Sequence, residues 1–141
     1  MAISLYDLSV PTFLQTVKAV GGFLDRAARH CAETRVDPND FVHARLFDDM
    51  APFHFQIEAA RHHSVWGLEA FTPDEVNSWA GKDLDLQIGP WRLAFTSETL
   101  ILSFSLPNFY FHAVTAYDIL RTRGVPLGKR DYEGRLRTRT A

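Results

Sequence analysis

The chain has 141 residues, 46% of them hydrophobic and 23% charged, with a formal net charge of −2 and one cysteine. That length suits a single domain able to bury about two-thirds of its unfolded surface, and so small a charge gives no field to draw the chain to nucleic acid or an anionic membrane. One cysteine excludes an intramolecular disulfide, no basic stretch precedes an apolar core at the N-terminus, and no apolar run nears the ~20 residues that span a bilayer, so a cytoplasmic protein is expected.

Ser9-Val10-Pro11 reads as a helix start, with Ser9 as N-cap and Pro11 in the first turn, where its missing N–H costs little. Val10, Phe13, Val17, Val20, Leu24, Ala27 and Cys31 then form a narrow stripe at alternating steps of three and four. Gly21-Gly22 is a soft point that suggests a close crossing by a neighbour. Asp37-Pro38-Asn39-Asp40 opens a second helical region, broken or re-capped at Asp48, Asp49 and Pro52. Met50, Phe53, Ile57, Ala60, Ser64 and Leu68 make its stripe, so this helix is expected to reach the Ala70 region.

Thr72-Pro73-Asp74-Glu75 is a capping box whose helix has room for about two turns before Gly81. Leu84, Leu86 and Ile88 alternate with polar residues up to Gly89-Pro90, and Trp91, Leu93 and Phe95 alternate beyond it. Period two on both sides of a turn predicts a β-hairpin with one apolar face, marginal alone and therefore expected to lie on a helix. Thr96-Ser97 caps a last long helix reaching Arg123, kinked at Pro107 and stopped by Gly124 and Pro126. The polar, mildly basic residues from Gly128 to Ala141 read as a surface-hugging or frayed tail.

Ile3-Ser4-Leu5-Tyr6-Asp7 with Val10-Pro11-Thr12-Phe13, Ala44-Arg45-Leu46 with Asp49-Met50-Ala51-Pro52, the run Leu106 to His112, and Gly124 to Tyr132 together resemble a bacterial and fungal domain-of-unknown-function family of the DinB/YfiT-like superfamily. The resemblance covers nearly the whole chain. It implies an all-α fold, an up-down-down-up four-helix bundle, often dimeric, here with a small β-hairpin before the last helix. It also implies a divalent metal such as Zn, Ni or Mn in the better-known branches, held by one histidine from helix two and an HxxxH pair on the last helix. Some of those branches transfer low-molecular-weight thiols. His112 falls on the second histidine of that pair and Asn108 on the first, so one ligand is changed. Relatives place a further helix between the Leu68-Glu69-Ala70 segment and Thr72, where this chain is nearly contiguous. Either the third helix is shortened or missing, with apolar stripes left for a second chain to bury, or residues are absent between the two segments.

An imidazole is a good metal ligand, while an amide oxygen suits harder ions than zinc. The candidate metal set is therefore His112 and Asn108 with His54 or Asp49 from the second helix. The competing reading makes Asn108 a partner for backbone groups freed by Pro107 and His112 a hydrogen-bonded core histidine. His54, Glu58 and His62 stand at metal-capable spacing, but their line rotates off the core stripe, and with His63 they read as a polar face. Cys31 continues the stripe of the first helix and reads as core. Lys129 and Arg130 are placed to fold back onto an anionic ligand or a carboxylate. The expected function is a non-catalytic or small-ligand-binding homodimer that has lost the metal triad, its pocket drawn from Asn108, His112, Tyr110, Tyr117 and Trp91. The alternative is a divalent-metal-dependent enzyme, a thiol transferase or hydrolase.

Overall fold

The computed structural model describes residues 3–65 and 72–139. In chain order it places α1 (Leu5–Thr34), α2 (Asn39–Val42), α3 (Phe53–Val65), α4 (Pro73–Asn77), the strands β1 (Asp83–Ile88) and β2 (Trp91–Thr96), α5 (Ser97–Leu100), a π-helical turn (Ile101–Ser105), α6 (Leu106–Thr122) and α7 (Lys129–Glu133).

The first helix begins earlier than Ser9. Ser4 caps it by accepting from the Asp7 N–H, while the Asp7 carboxylate takes the Ser4 N–H, a reciprocal box that Ser9 lacks. Ser9 instead lies buried inside the helix and donates to the Leu5 carbonyl at 2.7 Å. Pro11 is tolerated in the second turn because the Thr12 hydroxyl donates to the Asp7 carbonyl that the missing N–H leaves open. The buried face runs Phe13, Thr16, Ala19, Val20, Phe23, Ala27 and Cys31, so Val17 is turned out to solvent. Among the described residues none crosses closely at Gly21-Gly22: a side-chain carbon built at either position meets nothing within 4 Å.

Ring and side-chain pairs give the helix directions. Phe13 meets Phe109 and Phe23 meets Tyr117, so α1 and α6 run parallel. Gln56 meets His112 and His63 meets Phe104, so α3 runs against both. The main core lies where the three converge, around Phe23, Ala27, Cys31, Phe53, Ala113, Ala116, Ile119 and Leu120, closed by Val125 and Leu127. Among the described residues only these three helices exceed two turns, α6 being extended backward by α5 and the π turn. The short helix expected after Thr72 is the five-residue α4, capped by Thr72 and Glu75 as the sequence predicts. It packs Val76 against Leu5 and Ile101, and the Asn77 side chain accepts the Tyr6 N–H at the open end of α1. Leu68 and the reach to Ala70 fall outside the described residues.

The hairpin has the expected register, with Leu84 opposite Phe95, Leu86 opposite Leu93 and Ile88 opposite Trp91. Gly89 takes the positive φ, 56°, that a two-residue turn with Pro90 second requires. Its apolar face is not laid on a helix along its length: Phe95 at the base touches Phe104, while Trp91 at the tip is 67% exposed. The C-terminal segment, in turn, is docked. Gln15 donates to the Glu133 carbonyl, Arg26 to the Pro126 carbonyl and Arg137 to the Thr12 hydroxyl. Gly134 approaches so closely that an added Cβ would lie 3.1 Å from that of Ala19. Lys129 pairs with Glu133 of its own helix at 3.0 Å.

Candidate functional site

Pro107 cannot donate to the carbonyl four residues back, and a π turn stands just before it, an irregularity of the kind that accompanies helix kinks. The Leu106 N–H reaches the Ile101 carbonyl, five residues back. Asn108 then spends its amide on the same stretch, donating to the Phe104 carbonyl at 2.7 Å. One turn on, His112 meets a residue that the sequence reading missed. Its Nδ1 lies 2.7 Å from Gln56 Oε1.

The chemistry of that pair is determined by its second partner. Gln56 is 1% exposed, and its Nε2 donates to the Ala51 carbonyl at 2.9 Å, so Oε1 is the end turned to His112. His112 must therefore carry its proton on Nδ1, which leaves Nε2 with a lone pair. His63, read from sequence as part of a polar face, is the other surprise. Its ring stacks on that of His112, with centroids 5.7 Å apart and planes 10° apart. Its Nδ1 is buried and has no hydrogen-bond partner among the described residues. Burial pushes both imidazoles below the ordinary histidine value, and for His63 the neighbouring His112 and His62 add to the shift. Both therefore favour the neutral form.

Aromatic rings border the pair. Phe55 and Phe111 stand edge-on to His112 at 5.9 and 5.2 Å, and Phe104 stands edge-on to His63 at 5.7 Å. Phe55 and Phe111 are about half exposed, at 49% and 52%, so the niche opens to the surface on their side.

The other candidates lie elsewhere. His54 is two residues before Gln56, roughly 200° around the helix; it is exposed and edge-on to His43 at 5.6 Å. Asp49 is exposed in the turn before α3. Tyr117 packs between Phe23 and Tyr132, Tyr110 lies against Phe109, and Trp91 is at the hairpin tip. The structure thus keeps Asn108 and His112 on one helix face and brings neither His54, Asp49, Tyr110, Tyr117 nor Trp91 to them. A catalytic divalent centre needs about three protein donors around one point. Among the described residues no three His, Cys, Asp or Glu side chains group closely enough to hold a metal ion. The donor set as placed does not fit such a centre. Cys31 is buried in the core, with its thiol pushed up by burial, as a packing residue rather than a nucleophile. No helix among the described residues is long and apolar enough to cross a membrane.

Comparison with known proteins adds the following. The family described as "Domain of unknown function (DUF1993)" matches residues 5–69 and 62–133. A crystal structure of a DinB family member protein from Shewanella denitrificans superposes with a TM-score of 0.82 at 23% identity, covering 97% of this chain and 96% of that one. At that identity the likeness is one of fold. No curated protein matches the chain.

Proposed function

Since the chain belongs to the DUF1993 family of domains of unknown function, and its helices carry a DinB-like fold, we propose that it is a small-ligand-binding helical protein whose site is the His63–His112 niche. The observation that carries this reading is the buried Nδ1 of His63, without a partner among the described residues, beside a His112 locked in one tautomer. A buried polar atom without a partner is costly. A ligand group that hydrogen-bonds the imidazole pair would offset that cost. The rings of Phe55, Phe104 and Phe111 suit a flat apolar body, and the neutral imidazoles suit a hydroxyl or N–H rather than an ion. We further propose that the protein is a cytoplasmic homodimer whose second chain stands where relatives have the third helix.

4-Fluorophenol is a suitable probe, with a ring for the aromatic walls and a hydroxyl to donate to an imidazole nitrogen. Its fluorine resonance should broaden and shift with the wild-type protein and respond at least tenfold more weakly with His63→Phe. An equal response from both proteins, or none from the wild type, would remove the basis for the reading.

One observation favours a second reading, the metal-dependent enzyme. An Nδ1–H bond such as that from His112 to Gln56 is how a metal-ligating imidazole is commonly oriented, with Nε2 presented outward. Elemental analysis of protein purified without a metal-affinity column separates the two. About one equivalent of metal, lost in His112→Ala, would favour this second reading over the first.

A further inference from the structure

Far along α1 from its cap, the docked C-terminal segment leaves a groove of about 350 Å³. Lys18, Arg26 and Arg29 enter it from α1, and Arg130 and Arg135 from the opposite wall; Asp131 is the one carboxylate in its lining. Asp131 lies 3.7 Å from Arg26. Lys18, Arg29, Arg130 and Arg135 form no ion pair among the described residues. A chain of net charge −2, with 17 acidic residues, has thus gathered five cations against one anion in a single hollow. Like charges held together repel one another unless a counter-ion joins them.

A second observation concerns the floor. Gly22 lines the groove, within a 30-residue helix. Glycine weakens a helix interior, and here neither a positive φ nor a packing neighbour calls for it, since an added Cβ meets nothing within 4 Å. What the glycine does preserve is depth. The lining contains no aromatic ring on which a nucleic-acid base could stack. Arginine forks, in contrast, match the oxygens of a phosphate, and the volume is at the compact end for small-molecule sites.

We propose that this groove is an anion site, distinct from the histidine niche, that takes a multiply charged phosphate group, with Lys18, Arg29, Arg130 and Arg135 as the clamp and Gly22 as the open floor. The phosphate belongs either to a soluble polyphosphorylated molecule or to a phosphorylated lipid headgroup.

Titration calorimetry of the full chain with inorganic tripolyphosphate at low salt tests this. One equivalent should bind, with affinity falling at least tenfold in Arg29→Gln/Arg130→Gln, whose side chains form no ion pair among the described residues. Gly22→Leu should fill the floor and lower affinity similarly while circular dichroism stays helical. Co-sedimentation with phosphatidylcholine vesicles carrying a phosphoinositide bisphosphate, reversed by tripolyphosphate, would identify a lipid source. Tripolyphosphate binding without co-sedimentation would identify a soluble one. Failure to bind either, binding unchanged in the arginine pair and in Gly22→Leu, or tighter binding of oligo-dT than of tripolyphosphate overturns the proposal.

Discussion

Gln56 is the side chain on which the niche depends. Replacing it with leucine removes the acceptor of His112 Nδ1–H and the donor to the Ala51 carbonyl at once. The cost should be about 1–3 kcal/mol by urea unfolding, the range for leaving buried polar groups unpaired. Nitrogen NMR of the imidazoles should then show His112 as a mixture of tautomers. Protonation gives a second handle. His63 and His112 are both lowered by burial, so the unfolded chain binds protons more readily than the folded one as pH falls through the ordinary histidine value of about 6.5. Their stabilising effect is full above that value and is lost as pH drops through their folded values. The thermal midpoint should therefore fall between pH 7 and 5, and fall less in His63→Phe. A flat wild-type profile there would contradict it. The lowered carboxylates of Asp7, Glu58 and Glu98 act in a separate window, below about pH 4. His112 was legible in the sequence, since its helix and spacing stand out. Gln56 was not, because a glutamine on an amphipathic helix reads as solvent-facing. The signal existed all the same: Phe53, Gln56, Ala60 and Ser64 keep steps of three and four. Centring the stripe on Ile57 rotated the helix by about one position and sent His63 outward.

Local signals with one meaning came through at the scale of elements. The Thr72–Glu75 and Thr96 caps and the Gly89-Pro90 turn each specify a geometry that few alternatives satisfy. Where two signals compete, position is lost. Ser9-Val10-Pro11 and Ser4-Leu5-Tyr6-Asp7 both resemble starts, and the reciprocal bonds at Ser4 win because Thr12 repairs the proline defect. Pro107 gave the place of an irregularity, and the π turn beside it is the form that irregularity takes. Gly21 offers a direct check on α1. With no neighbour to admit and no unusual backbone angle, Gly21→Ala should raise stability by about 0.5–1 kcal/mol, the helix-propensity difference. A loss measured by denaturant unfolding would mean that a contact forms there.

For the whole molecule, the sequence conveyed an all-helical domain with a hairpin and left the tail either surface-hugging or frayed; the structure shows the first, and the sequence did not give its contacts. Charged residues from Lys129 onward look like a solvated end, but the attachment depends on groups without a sequence signature: backbone carbonyls of Pro126 and Glu133, and the bare Cα of Gly134. Gly134→Ala combines a φ of 65° with a Cβ clash at Ala19, and should cost about 1–3 kcal/mol of stability, read from the thermal midpoint. The same attachment sets the order of assembly during synthesis. The buried face of α1 is covered by Ile119, Leu120, Val125 and Leu127, and Arg26 finds its carbonyl partner 100 residues later. At ribosomal rates of about 5–20 residues per second, that face waits roughly 5–20 s for its cover. Through that interval Val20 and Phe23 of the nascent chain lack the apolar cover they have in the folded protein.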